Sequence, residues 1–145
     1  IIIIQNTKKI MSEFKKMECG AAFAHATVGE LKDFCGKVFT RDVIGSTSCE
    51  LSFGTLGAGQ SVPFFHSHKE NEEHYIVLSG KGLFRVDDTV FPIQSGSVVR
   101  VATGASRNLK NTGEGDMAYI CIQAREGSLS HCTADDAEIT EQKGM

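Results

Sequence analysis

The chain has 145 residues, 41% of them hydrophobic, with fifteen glycines, two prolines and a formal net charge of −3. A length near the commonest domain size with this apolar fraction predicts one ordinary globular domain and excludes both a disordered chain and a second domain. Nearly balanced charge leaves no footprint for nucleic acid or an anionic membrane, and no apolar run approaches the roughly 20 residues of a spanning helix.

Ile1, Ile2, Ile3 and Ile4 open the chain, but Met11 reads as the natural start, so residues 1–10 are expected to be a non-native leader. No positive stretch precedes these isoleucines as a secretory signal requires, although four consecutive β-branched residues suit addition of a strand to an exposed sheet edge. Residues 11–46 are expected to pack on the main domain, with a short helix in 28–39 presenting Leu31, Phe34 and Cys35. The five cysteines are odd in number and include no close pair, which predicts reduced thiols and a cytoplasmic chain. Cys121, in an apolar run, is expected to fill the core.

From about residue 45 the dominant period is two. Strands are predicted at 47–56, 72–79, 82–86, 89–93, 97–102, 106–111 and 116–124, reversing at Ser79-Gly80-Lys81-Gly82 and Asp87-Asp88. Short antiparallel strands at regular intervals make an all-β fold that closes on itself. The tail, 125–145, is acidic at 135–141 and fits a terminal helical turn, a strand or a mobile end.

One constellation carries chemistry. In an extended segment His66 and His68 project to the same side while Ser67 turns away, and four intervening residues then bring Glu73 to the start of the next strand. Two imidazoles and a carboxylate on one face of a divalent ion, with other positions open, suit non-haem Fe(II) and also hold Zn, Mn, Ni or Cu.

The segment from Gly59 through His66, His68, Glu73 and Gly80, followed by the segment from Gly96 through Gly104 to Asn111, resembles the two signature motifs of the cupin superfamily. One extra residue separates Gly59 from His66, Ala102 stands where proline is usual, and Arg107 stands where the family's fourth metal ligand, a histidine, belongs. The resemblance covers residues 47–124 and is nearest to small bacterial single-domain cupins, through Asn71-Glu72-Glu73, Val98-Val99-Arg100-Val101 and the run 122–129. It implies a jelly-roll barrel over 47–124, a divalent transition metal (Fe, Zn, Mn or Ni) on His66, His68 and Glu73, and a homodimer formed through a sheet face or exchanged N-terminal strands. Fold alone does not name a substrate.

Alternation then sets what faces the interior. Glu73 inward brings Tyr75 and Val77 with it and turns His74 to the surface, and Arg107 inward brings Leu109 and Asn111. On the last strand either Met117, Tyr119, Cys121 and Gln123 or Ala118, Ile120 and Ile122 line the cavity. Phe64 and Phe65 are expected in the core or a dimer contact, Phe53, Phe84 and Phe91 in the core, and His25 and His131 away from any site.

A guanidinium about 5 Å from a divalent ion is repelled by roughly 6–7 kcal/mol at an effective dielectric constant of about 20. Three arrangements offset this: Glu73 and an anionic substrate between Arg107 and the metal, Arg107 turned away to pair elsewhere, or Arg107 paired directly with Glu73 in a metal-free pocket. The expected function is a metal-dependent enzyme, of oxygenase or isomerase/lyase type, acting on a small anionic organic molecule. Arg107, Gln123 and Tyr75 are its expected substrate contacts, and no catalytic base is assigned. The alternative is a non-catalytic, metal-free module that binds or senses a small ligand.

Overall fold

The alternating pattern after residue 45 becomes, in the computed structural model, two antiparallel sheets facing one another; the structure describes residues 13–141 and 144. In chain order the strands are β1 Lys15–Cys19, β2 Ala24–Thr27, β3 Lys37–Phe39, β4 Cys49–Leu56, β5 Asn71–Ser79, β6 Lys81–Val86, β7 Thr89–Gln94, β8 Val98–Val101, β9 Arg107–Asn111 and β10 Met117–Arg125. One sheet runs β3-β4-β10-β5-β8, the other β7-β6-β9, and β1 and β2 form a separate hairpin. The chain is thus all-β, and every strand predicted after residue 45 is present with ends within two residues of expectation.

Burial follows the pleat. In β5, Glu73, Tyr75 and Val77 are buried while their neighbours are not, and in β9 the buried residues are Arg107, Leu109 and Asn111. β10 resolves the open alternative, since Tyr119, Cys121 and Gln123 line the cavity. Leu56, Tyr75, Val77, Phe84, Ile93, Val101, Leu109, Met117, Tyr119 and Cys121 form one contiguous core. Phe84 is fully buried, whereas Phe53 and Phe91 are half-buried at its margins.

Asn111 closes one end. Its Nδ2 donates to the carbonyls of Leu56 at 2.8 Å and Gly115 at 2.7 Å, and its Oδ1 accepts from the Gly113 amide at 2.8 Å. Nearby, Gly80 makes the β5–β6 reversal at φ +85°, and a Cβ there would lie 2.9 Å from the Met117 Cα. Only glycine meets both demands.

The N-terminal segment departs from expectation. The helix anticipated in 28–39 is a turn at Leu31 followed by strand β3, and the short helix α1 lies at Arg41–Ile44. Gly29 and Gly36 have φ of +80° and +102°, outside the helical region, and they bracket the would-be helix. Phe34 is buried nonetheless, edge-on to Phe53 with centroids 6.1 Å apart, and Phe14 meets Phe53 from the hairpin side at 5.8 Å. The acidic tail holds a 3-10 turn at Thr133–Asp135 and is otherwise exposed. Residues 1–10, the expected leader and strand donor, lie outside the described residues.

Candidate functional site

His66 and His68 do not sit on a strand, as the two-residue spacing had implied. His66 makes a single bridge to Arg107, with Arg107 N–H donating to His66 O at 3.0 Å, and Gly104 N–H donates to His68 O at 2.8 Å. Asn108, on the outward side of β9, donates to the carbonyls of Val62 at 2.9 Å and Phe64 at 2.8 Å. These backbone ties hold an irregular loop against β9, and the rings still converge, with centroids 5.2 Å apart.

Glu73 enters from β5 as its third residue. His66, His68 and Glu73 each present a ligand atom, all within 4.8 Å of one another, and are the one His/Cys/Asp/Glu group of this kind among the described residues. Glu73 Oε2 accepts from the Tyr75 hydroxyl at 2.6 Å and from Arg107 Nη2 and Nε at 2.6 and 3.0 Å. Its other oxygen, Oε1, faces His68 Nε2 at 2.9 Å and Gln123 Nε2 at 3.4 Å. Burial raises the carboxyl's pKa, but the hydrogen bonds from Tyr75 and Arg107 and the arginine's charge outweigh it and hold the group at about 2.

Arg107 is 1% exposed, and its remaining Nη1 donates to the carbonyls of His66 at 3.3 Å and Ala105 at 3.1 Å. Arg107 is therefore not turned away: it contacts Glu73, as both the first and the third of the arrangements weighed from sequence require. The guanidinium borders the cavity, but its Nε and Nη2 are directed at Glu73, so bidentate contact with a ligand's carboxylate through that edge would draw it off Glu73. Tyr75 likewise lines the cavity with its hydroxyl committed to Glu73, and burial drives its pKa upward.

His66 is shifted downward, first by burial and then by the Arg107 charge, so it is a neutral imidazole near pH 7. Its Nδ1 is buried with no hydrogen-bond partner. His68 Nε2 lies 2.9 Å from Glu73 Oε1 and 2.8 Å from Gln123 Nε2, while Asn71 Nδ2 donates to Gln123 Oε1 at 3.1 Å and orients that amide. Neighbouring ligand atoms around an ion with ~2.1 Å bonds lie about 3 Å apart, close to the His68–Glu73 separation, so these residues fit a divalent metal.

The group stands at one end of a cavity of about 530 Å³ whose apolar walls include Phe39, Leu56, Val62, Phe64, Leu109 and Tyr119. Phe64 and Phe65 are exposed by 58% and 56%, Phe64 as a cavity wall and neither as core. His74 is on the outer side, 3.8 Å from Glu72, in a surface network where Arg100 bridges Glu72 and Glu126. Cys121 borders the cavity, but burial and the Glu73 charge push its thiol up to about 12, which leaves it inert. Lys37, Glu50 and Ser52 also line the cavity and were not anticipated: Lys37 is on β3, only three residues long and without a period, and Glu50 and Ser52 are on β4, ahead of both motifs.

A family profile described as a cupin domain matches residues 52–123. The solved structure of a cupin protein from Bacteroides fragilis is similar at TM-score 0.72 and 31% identity, over 90% of this chain and 100% of that one. A structure from Thermotoga maritima described as a predicted oxalate decarboxylase is similar at TM-score 0.50 and 29% identity, covering 52% of this chain and 64% of that one. In sequence, the chain is 33% identical over 67 residues to an oxalate-binding protein of Thermotoga maritima (46% of this chain) and 26% identical over 81 residues to an uncharacterized protein of Methanocaldococcus jannaschii (56% of this chain). It spans 54% and 61% of the lengths of these two curated relatives.

Proposed function

This chain belongs to the cupin superfamily, and we propose that it binds a divalent transition metal through His66, His68 and Glu73 and acts on a small anionic organic molecule held in the cavity above it. The observation that carries this reading is the convergence of His66, His68 and Glu73, each presenting a ligand atom within 4.8 Å of the others. When bound, such an ion supplies Lewis-acid polarisation of a substrate carbonyl or carboxylate, or, as iron, access to oxygen chemistry.

The protein's own groups divide the remaining work. Arg107 and Tyr75 hold Glu73 ionised and fixed through Oε2, which leaves Oε1 for the ion and places a carboxylate between the two positive charges. That geometry offsets the repulsion an arginine in this position would otherwise impose. Gln123, whose amide reaches into the cavity, is the proposed polar contact to substrate, with Arg107 and Tyr75 acting behind it through Glu73. Relatives described as an oxalate-binding protein and a predicted oxalate decarboxylase support an organic acid as the ligand class.

A second reading, a metal-free cupin that binds its ligand without catalysis, is favoured by the same Arg107–Glu73 pair, because the carboxylate already has its countercharge. The two separate on one measurement. Metal-depleted protein is reloaded with Fe(II), Mn(II), Ni(II) or Zn(II) and assayed for bound metal beside His66→Ala/His68→Ala. About one equivalent per chain, lost in the variant, is the expected result; no uptake by the wild type refutes the metal reading and leaves the binding module. Among the described residues no helix is long and apolar enough to cross a membrane. We also propose a homodimer, formed through the outer face of the β7-β6-β9 sheet, where Leu83 and Val90 are exposed next to Phe65.

A further inference from the structure

The cavity holds a second cation besides Arg107. Lys37 on β3 lies opposite Gly54 on β4, and Gly54 in turn lies opposite Tyr119 on β10. The middle strand contributes no side chain at this level: a Cβ on Gly54 would sit 2.4 Å from Tyr119 Cζ, so the ring lies directly over the glycine. Lys37 extends across that gap, its Nζ 4.9 Å from the Tyr119 ring centroid and 5.6 Å from that of Phe39. Contact with a ring that is only 6% exposed directs the ammonium into the cavity, which it lines, instead of out to water.

No carboxylate among the described residues pairs with it. Glu50, the acid on the same face of β4, uses Oε1 to accept the backbone N–H of Thr40 at 3.0 Å and of Arg41 at 2.9 Å. Glu73 is committed to Tyr75, Arg107 and His68. A half-buried ammonium held by two aromatic faces and lacking a counterion is a receptor for an anion. Burial lowers its pKa, against the pull of the Cys121, Glu73 and Glu50 charges, which agrees with a desolvated position.

The rest of the ligand is set by the cavity walls. Lys37 and Glu73 stand on different strands of the sheet β3-β4-β10-β5-β8 and line the same cavity. Its apolar walls include Phe39, Leu56, Val62, Phe64 and Leu109, around a volume of about 530 Å³. Cavities of that size enclose ligands of many heavy atoms, and a two-carbon diacid would leave most of this apolar surface without a partner.

We infer that Lys37 is the anion-recognition residue of this cavity and that its ligand is an amphipathic monocarboxylate, with an apolar or aromatic body against the cavity walls. The inference rests on the reading that the cavity is a ligand site, and is independent of whether a metal binds there.

The test is calorimetric titration of metal-depleted protein with 3-phenylpropanoate, its uncharged amide 3-phenylpropanamide, and oxalate. The expected result is that the carboxylate binds at least ten-fold more tightly than both the amide and oxalate. Lys37→Met and Lys37→Gln should each weaken the carboxylate by ten-fold or more and leave the amide unchanged. Equal affinity for carboxylate and amide, no saturation by the carboxylate at about 5 mM, tighter binding of oxalate, or full carboxylate affinity in both Lys37 variants would each overturn it. If the variants fail to fold, the comparison of charged and uncharged ligands on the wild type decides. Metal stoichiometry measured on the same preparations keeps the two ideas apart: discrimination by Lys37 without metal uptake sinks only the metal, and metal uptake without discrimination sinks only the role of Lys37.

Discussion

Arg107→Met is the perturbation that reads most directly on the site. Methionine keeps much of the apolar stem but removes the charge and all four hydrogen bonds, leaving Glu73, only 5% exposed, as a buried carboxylate without its countercharge. Two routes give the magnitude. Removing one partner of a buried pair costs about 3–5 kcal/mol. The displacement of the Glu73 pKa from 4.5 to about 2, at ~1.4 kcal/mol per unit, is worth about 3 kcal/mol in total, shared between Arg107 and the Tyr75 hydroxyl. The expected loss is therefore about 2–4 kcal/mol by urea denaturation at pH 7 with chelator present.

The sign of the pH dependence follows from the same shift. Glu73's folded pKa lies below its unfolded value, so its stabilisation is complete above about 4.5 and disappears as pH falls toward 2. Arg107→Met should flatten that part of the stability profile. Pairing it with Glu73→Gln should recover much of the loss, with a coupling energy of at least about 1.5 kcal/mol in the double-mutant cycle. A single-variant loss below about 1 kcal/mol together with additive effects would refute the buried-pair reasoning.

Three further expectations use the same geometry. Asn111→Ala removes three hydrogen bonds from a fully buried side chain and should cost roughly 2–4 kcal/mol by chemical denaturation; a loss under 1 kcal/mol would mean that the 111–115 turn does not close the barrel. Gly54→Ala should destabilise by about 1–3 kcal/mol through the clash with Tyr119 and also weaken carboxylate binding at Lys37, and a neutral outcome would show that the Tyr119 ring moves freely. In native protein at pH 8, Ellman's reagent should label the exposed Cys19 and Cys132 well before Cys121, whose thiol is buried and held near 12; comparable labelling of Cys121 would overturn that assignment.

The barrel was legible because its strands bury one face against the core, which forces period-two alternation onto the sequence: Glu73-Tyr75-Val77 and Arg107-Leu109-Asn111 announce their orientation by spacing alone. The His66, His68 and Glu73 set was legible for a similar reason, since residue type and separation are one-dimensional facts. What the sequence did not contain was anything depending on a partner distant in the chain. The orientation of β10 was undecided until pairing with β4 and β5 turned Tyr119, Cys121 and Gln123 inward. The partner of Arg107 was open until β5 and the end of β9 were brought together. Lys37 gave no signal, because a three-residue edge strand has no period and the glycine that makes room for its side chain lies seventeen positions away. Local pattern by itself determined the strands after residue 45, the inward faces of β5 and β9 and the His66, His68 and Glu73 group; tertiary pairing decided the inward face of β10, which charges are neutralised and which ammonium faces the cavity, because electrostatic partnership is set by distance in space.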